Sequence, residues 1–257
     1  MPGALRMSHA PRHTVPARTI EASILFFILV VLALSPPADA QVTLSLSGEQ
    51  DGASASVLWI NGPRLAYGLS HNRFRGAEWT YGTATYTWRK ARWITQAEAN
   101  LGAGRAEESF PYRVFRLSAT REVVPARLYV DVEQRFLNID RLRGNLLRGG
   151  LTWLASPEWM FSSSVYGSLG GNLEMRYLTA RIDQNPSPIG LLAGASVGRS
   201  ESGYFREPGL ALPGSSSEFF GGVSFLTRSG KGTFIVSSTT TESDDRLRAS
   251  VSWTFAD

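Results

Sequence analysis

The strongest constraint on this chain is a period of two. Apolar and polar side chains alternate over segments of about ten residues, and short turn signals divide the segments. The last segment is the clearest. Leu247, Ala249, Val251, Trp253 and Phe255 share one face, and Arg246, Arg248, Ser250, Ser252 and Thr254 share the other. Successive side chains of a strand point to opposite faces, so this pattern makes a strand with one apolar and one polar surface. Ala91–Leu101 sets Trp93, Ala97 and Leu101 against Arg92, Gln96, Glu98 and Asn100. Arg127–Phe136 sets Leu128, Val130, Val132 and Phe136 against Tyr129, Asp131, Glu133 and Arg135. Trp159–Leu169 and Ile189–Val197 repeat the pattern, and Leu173–Gln184 follows it less cleanly.

Alternation fits a soluble sandwich as well as a membrane barrel, and three features decide between them. The first is the leader. Arg6, Arg12 and Arg18 precede an apolar run from Ile24 to Leu34, which Ser35-Pro36-Pro37 breaks before the small-residue site Ala38-Asp39-Ala40. The run is too short to span a bilayer comfortably, and the order is that of an export signal. Residues 1–40 therefore read as a cleaved signal peptide and 41–257 as the barrel domain; the alternative is an uncleaved anchor. The second feature is the turns. Asn61-Gly62-Pro63, Arg89-Lys90, Val124-Pro125, Ser156-Pro157, Asn185-Pro186 and Gly230-Lys231 are tight connections. They alternate with others, several of them longer, at Gly48–Ala53, Gly102–Phe110, Ile139–Gly144 and Arg199–Ser215. Outer-membrane barrels have short periplasmic turns and longer outer loops. The third is tryptophan. Trp59, Trp88, Trp93, Trp153, Trp159 and Trp253 fall near the tight-turn ends of their segments, and Trp79 does not. An indole has an apolar body and an N–H, which suits the membrane interface.

These features predict an all-β fold: a closed, antiparallel, up-and-down transmembrane β-barrel of about 14 strands, or 12 if the weak segment Val42–Gly48 and its hairpin are lost. Closure follows because lipid offers no partner to an unpaired backbone N–H or C=O. The length after the leader allots about 15 residues to each strand and its connection, enough for tilted strands of about 9–11 residues. The predicted location is the outer membrane of a Gram-negative bacterium, with outer-membrane lipid and lipopolysaccharide as surroundings.

The segment order resembles the YaiO-type family of small outer-membrane barrels. The resemblance is carried by Trp79-Thr80-Tyr81-Gly82-Thr83-Ala84-Thr85-Tyr86-Thr87-Trp88 running on through Arg92-Trp93-Ile94-Thr95. Arg148-Gly149-Gly150-Leu151-Thr152-Trp153 and Ala249-Ser250-Val251-Ser252-Trp253-Thr254-Phe255 follow. It implies an outer-membrane location and no established chemistry. It also implies a C-terminal strand read by the barrel-assembly machinery at a terminal aromatic residue; here Ala256 and Asp257 follow Phe255.

Composition limits the chemistry. The 257 residues carry a formal charge of +4 and no cysteine. The charge is scattered without a Lys/Arg block, which gives no footprint for nucleic acid. No disulfide or thiolate metal site is possible. His9 and His13 lie in the leader, and only His71 remains, beside Ser70. Adjacent strand residues face opposite ways, so Ser70 and His71 cannot form a nucleophile–base pair directly. Glu242-Ser243-Asp244-Asp245 offers too few oxygens for Ca²⁺ and reads as a hairpin turn. No catalytic residue, metal site or cofactor is predicted.

The inward-facing charges are the candidate site. Arg92, Glu98, Arg116, Asp131, Glu133, Arg135, Arg148, Arg176 and Arg248 are expected to line the pore, with Glu174 and Arg246 on the same faces. On the lipid face a basic residue costs about 2–4 kcal/mol near the midplane, whereas a wet lumen accepts it. Such a lining either selects a polar solute or forms a network of ion pairs that partly fills the lumen. The leading functional reading is a pore, or a transport or export protein, for polar solutes or a polymer. The alternatives are a non-conducting structural or surface-interaction barrel and, behind both, a hydrolase using His71.

Overall fold

A computed structural model describes residues 40–49, 52–74, 77–105, 108–139, 142–171, 174–200, 214–241 and 245–255. Residues 1–39, where the leader is expected, most of the Arg199–Ser215 stretch and residues 242–244 lie outside the described residues.

Fourteen strands follow one another: β1 (Ala40–Glu49), β2 (Gly52–Asn61), β3 (Leu65–Phe74), β4 (Ala77–Lys90), β5 (Trp93–Arg105), β6 (Ser109–Val124) and β7 (Leu128–Ile139), then β8 (Leu142–Leu154), β9 (Trp159–Gly171), β10 (Met175–Gln184), β11 (Ile189–Ser200), β12 (Gly214–Thr227), β13 (Gly230–Thr241) and β14 (Asp245–Phe255). Each pairs antiparallel with its neighbours in sequence. The ladder from Thr43↔Thr254 to Glu49↔Arg248 joins β1 to β14 and closes the barrel. The sheet thus has no edge, as a span through lipid requires. The weak first segment is a full strand, and the count is 14 rather than 12.

The six connections at one rim are short: 62–64, 91–92, 125–127, 155–158, 185–188 and 228–229. This end is called the turn rim below, and the other the loop rim. At the loop rim the expected connections Gly48–Ala53, Gly102–Phe110 and Ile139–Gly144 are mostly strand among the described residues. β5 continues to Arg105 and β6 begins at Ser109, so most of Gly102–Phe110 belongs to the ladder. Covering of the glycines by aromatic residues explains this. Phe110 stands opposite Gly104 and lies where a Cβ on that glycine would sit, so the ring packs over bare backbone that would otherwise fray.

The outer face is apolar along the strands. Val130, Val132, Leu151, Phe161, Val165, Leu178, Leu191, Val223, Phe234 and Val251 are all exposed on it. A continuous apolar surface of this extent is foreign to soluble monomers and is the surface a barrel presents to lipid. All six tryptophans assigned to the turn rim share the parity of the outer-face residues of their strands. Arg121 lies over the Trp93 ring, 5.3 Å from its centroid, which places a cation on the aromatic belt. Trp79 turns inward at the loop rim and packs on the interior apolar cluster.

That cluster is the core. Tyr112, Val114, Leu137, Ile139, Leu142, Leu146, Met175 and Tyr177 meet inside the barrel on β6, β7, β8 and β10, toward the loop rim. Tyr81 stacks on Tyr112 with ring centroids 4.4 Å apart. Leu146 is 2 % exposed and Val114 1 %. Each such side chain withdrawn from water contributes about 1.5–3 kcal/mol. The lumen is therefore packed on one side rather than uniformly wet.

Candidate functional site: the barrel lumen

Below the apolar cluster, toward the turn rim, β5 to β8 carry a ladder of ion pairs. Glu98 and Arg116 stand opposite each other in register, and their side chains meet at 2.6 Å. Glu133 is the hub. It pairs with Arg135 on its own strand, with Arg116 at 3.8 Å and with Arg148 at 3.9 Å. Arg148 also reaches Asp131 at 2.8 Å. Hydroxyl and amide groups extend the network to β4: Thr85 donates to Glu98 at 3.2 Å and Thr83 to Asn100 at 2.6 Å. Six of the nine predicted lining residues, Glu98, Arg116, Asp131, Glu133, Arg135 and Arg148, thus form one assembly of three acids and three bases. Glu133 is 5 % exposed and Arg135 9 %, so the centre of the ladder is buried packing rather than wetted wall.

Two predicted lining residues do not face the lumen. Arg92 lies in the 91–92 turn, exposed at the turn rim. Its parity matches Glu98, but the turn falls two residues later than Arg89-Lys90, and Ala91 takes a positive φ of 51° there. Arg176 shares the parity of Leu178 on β10 and projects outward; Met175, Tyr177, Thr179, Arg181 and Asp183 face in. A one-residue error in phase moves a side chain to the other surface. Glu174 lies exposed in the connection before β10.

The ninth residue, Arg248, lies on the other side. There β1–β3 and β9–β14 chiefly enclose a cavity of about 750 Å³, which Arg148 of β8 reaches from the ladder side. Its lining is rich in hydroxyls, including Ser45, Ser47, Ser54, Ser56, Ser70, Ser162, Ser164, Thr179, Ser196, Ser237, Ser250 and Ser252. Several are coupled across neighbouring strands, as in Ser47–Ser54 at 2.6 Å and Ser164–Thr179 at 2.7 Å. Arg248 donates to Ser47 at 3.1 Å. Arg181 is held by Asp183, at 2.7 Å from Nε to a carboxylate oxygen. Sequence reasoning about charge missed this hydroxyl wall. The signal was present as serine on the inward phase of β1, β2, β9 and β14.

His71 does not assemble an active site. Its Nδ1 is 2.9 Å from Thr80 Oγ1 at an exposed position, while Ser70 lines the cavity. The two neighbours stand on opposite faces, as strand geometry requires. Among the described residues no group of three His, Asp or Glu is placed to hold a metal ion.

No protein-family model and no curated protein matches the sequence. Solved outer-membrane β-barrels share the fold at low identity. The toluene transporter TodX of Pseudomonas putida is 9% identical, with a TM-score of 0.59 over 87% of this chain and 91% of that one. A bacterial polysaccharide outer membrane secretin is 10% identical, with a TM-score of 0.56 over 85% and 98%. The KdgM porin is 11% identical, with a TM-score of 0.51 over 83% and 99%.

Proposed function

We propose that this protein is an outer-membrane pore that passes small polar, hydroxyl-bearing solutes along one side of its lumen. The observation that carries the reading is the division of the interior. The ion-pair ladder and the apolar cluster pack the β4–β8 side, with β10 joining the cluster. The cavity of about 750 Å³ runs against a wall of serine and threonine. A hydroxyl both donates and accepts, so such a wall exchanges hydrogen bonds with a passing solute without selecting one sign of charge. Two of the charged groups on the cavity are paired, Arg148 with Asp131 and Arg181 with Asp183, and both signs are present along it, which limits the net charge of the path. TodX is a toluene transporter, KdgM a porin and the third a polysaccharide secretin, all on the same barrel architecture. Within this class the segment pattern resembles the YaiO-type barrels, and that finer placement belongs to this proposal.

The proposal also fixes orientation: termini and turn rim in the periplasm, loop rim outside. The test is solute entry into vesicles carrying the refolded protein. Swelling with pentoses and hexoses that slows as solute size grows is the expected result. Folded protein that admits none of them would leave a structural barrel as the better account.

A further inference from the structure

One tryptophan is left unexplained by the membrane interface. Trp79 turns inward on β4, rests against the apolar cluster and also lines the cavity. It therefore stands at the seam between the packed and the open sides of the lumen. Among the described residues its ring stacks on no other ring, and its indole N–H meets no protein acceptor. Two residues on, Tyr81 lines the same cavity and is braced by its stack on Tyr112. Register adds the second observation. Ser47, Ser54, Asn72 and Trp79 stand directly opposite one another in turn across β1 to β4, and all four line the cavity near the loop rim. The row runs from hydroxyl through amide to indole and carries no charge.

The amide in this row is unsatisfied. Asn72 Nδ2 is buried and donates to nothing, and a buried donor without a partner is costly. The terminal torsion of asparagine is soft, so a turn of the amide presents that N–H to the cavity. A saccharide ring matches the row. Its C–H face is apolar and weakly positive, its edge bears hydroxyls, and an indole face is apolar and negative, so ring and indole stack. The edge hydroxyls then meet the amide and Ser54, whose oxygen accepts as well as donates. Ser54 and Trp79 are two strand spacings apart, about 10 Å, which leaves room between them for one ring with its hydroxyls. An open-chain polyol offers the same hydroxyls without a face to stack.

We propose that Trp79 and Asn72 form a binding site for a neutral saccharide ring at the loop-rim end of the cavity. The ring lies on Trp79, Asn72 donates to one hydroxyl and Ser54 accepts from another. The proposal rests on the pore reading above and gives that pore a substrate class, cyclic sugars in preference to chain polyols.

The test is fluorine NMR of refolded protein labelled with 5-fluorotryptophan, in a detergent without a sugar headgroup, titrated with methyl β-glucoside and with sorbitol. The signal lost in Trp79→Phe is that of Trp79, and the signals of the turn-rim tryptophans serve as internal controls. In wild type the Trp79 signal should move with glucoside while the others stay, and sorbitol should bind at least tenfold more weakly. Asn72→Leu keeps the side-chain volume without the amide and should weaken the glucoside about fivefold. Trp79→Leu, followed by saturation transfer from protein to sugar, should lose at least tenfold. A Trp79 signal that glucoside leaves in place overturns the proposal, and that result needs no variant beyond the conservative one used for assignment. Equal affinity for glucoside and sorbitol overturns recognition of the ring, and wild-type affinity in folded Asn72→Leu overturns the role of the amide. Binding is read without conduction. No binding in a barrel that passes sugars refutes this site alone, and binding in a barrel that passes none refutes the pore alone.

Discussion

Asp131 on β7 holds Arg148 on β8 at 2.8 Å only because the residue opposite Asp131 is Gly150. A Cβ on Gly150 would lie 2.4 Å from the nearer carboxylate oxygen. The inward glycine of the Gly149-Gly150 pair therefore serves the ion-pair ladder, and the outward one leaves open space against lipid.

Neighbouring glycines are thus expected to respond in opposite ways to the same change. Gly150→Ala should cost about 1–3 kcal/mol, the range for overpacking a filled interior, by driving Asp131 off Arg148. Gly149→Ala should lie within about 0.5 kcal/mol of wild type. Urea unfolding from lipid vesicles, followed by tryptophan fluorescence, measures both. Equal costs would contradict the assigned facing.

Glu133 is ringed by Arg116, Arg135 and Arg148. Glu133→Gln leaves buried guanidinium groups with less compensation and should cost about 3–5 kcal/mol. The double variant Glu133→Gln with Arg135→Gln should recover part of that loss, because the two residues share one network. Simple additivity in the same unfolding assay would remove the direct pair from the account. The reversal potential under a salt gradient should stay unchanged in folded Arg135→Gln and should shift in Arg248→Glu, since of these two residues Arg248 borders the cavity and Arg135 does not.

Facing can be read chemically, because a chain without cysteine has no background thiol. Cysteines at Val130, Val132 and Val251 should react with a membrane-soluble maleimide, and cysteines at Ser250 and Ser252 with a water-soluble one. A cysteine at Glu133 should react slowly with both, because that position is 5 % exposed. Fast aqueous labelling at Glu133 would show the ladder to be open water.

Removal of the leader after Ala40 is expected from the Ala38-Asp39-Ala40 site. Intact-mass analysis of protein from the outer-membrane fraction should give a chain beginning at Gln41. A mass that retains residues 1–40 would contradict cleavage.

Most of the fold was legible because a barrel writes its facing into every second residue. Over Leu128–Val132 of β7, and along most of β9 and β14, the lipid phase is chiefly apolar and the lumen phase chiefly polar, and the assigned facing holds. Three things escaped. Arg176 sits where alternation is weak, so its phase was ambiguous, and ambiguity of one residue is reversal of face. Arg92 kept the right parity yet fell in a turn, since element ends are the least determined part of a pattern. The apolar cluster was hidden for a physical reason. Leu137, Ile139, Leu142 and Leu146 point inward, and a rule that sends apolar side chains to lipid cannot show which of them pack against one another. The ion-pair ladder lay between these cases. Its members were identifiable, but their pairing depends on register, so charge alone left a selective lining and an ion-pair network both open, and the register brings six of the residues into a network.

The central claim is that solutes and ions pass along the serine wall and not through the ladder. Single-channel current across Ser250→Cys barrels in a planar bilayer, before and after a bulky water-soluble thiosulfonate, tests it most directly. Ser250 borders the cavity, whereas Leu247 on the same strand is exposed on the outer face and does not line the cavity. Modification after folding narrows the path without asking the variant to fold around a large residue. The account predicts a stepwise fall in current for Ser250→Cys and no change for Leu247→Cys. Undiminished current through Ser250→Cys barrels whose modification is confirmed by mass, or no current through folded wild type, would contradict it.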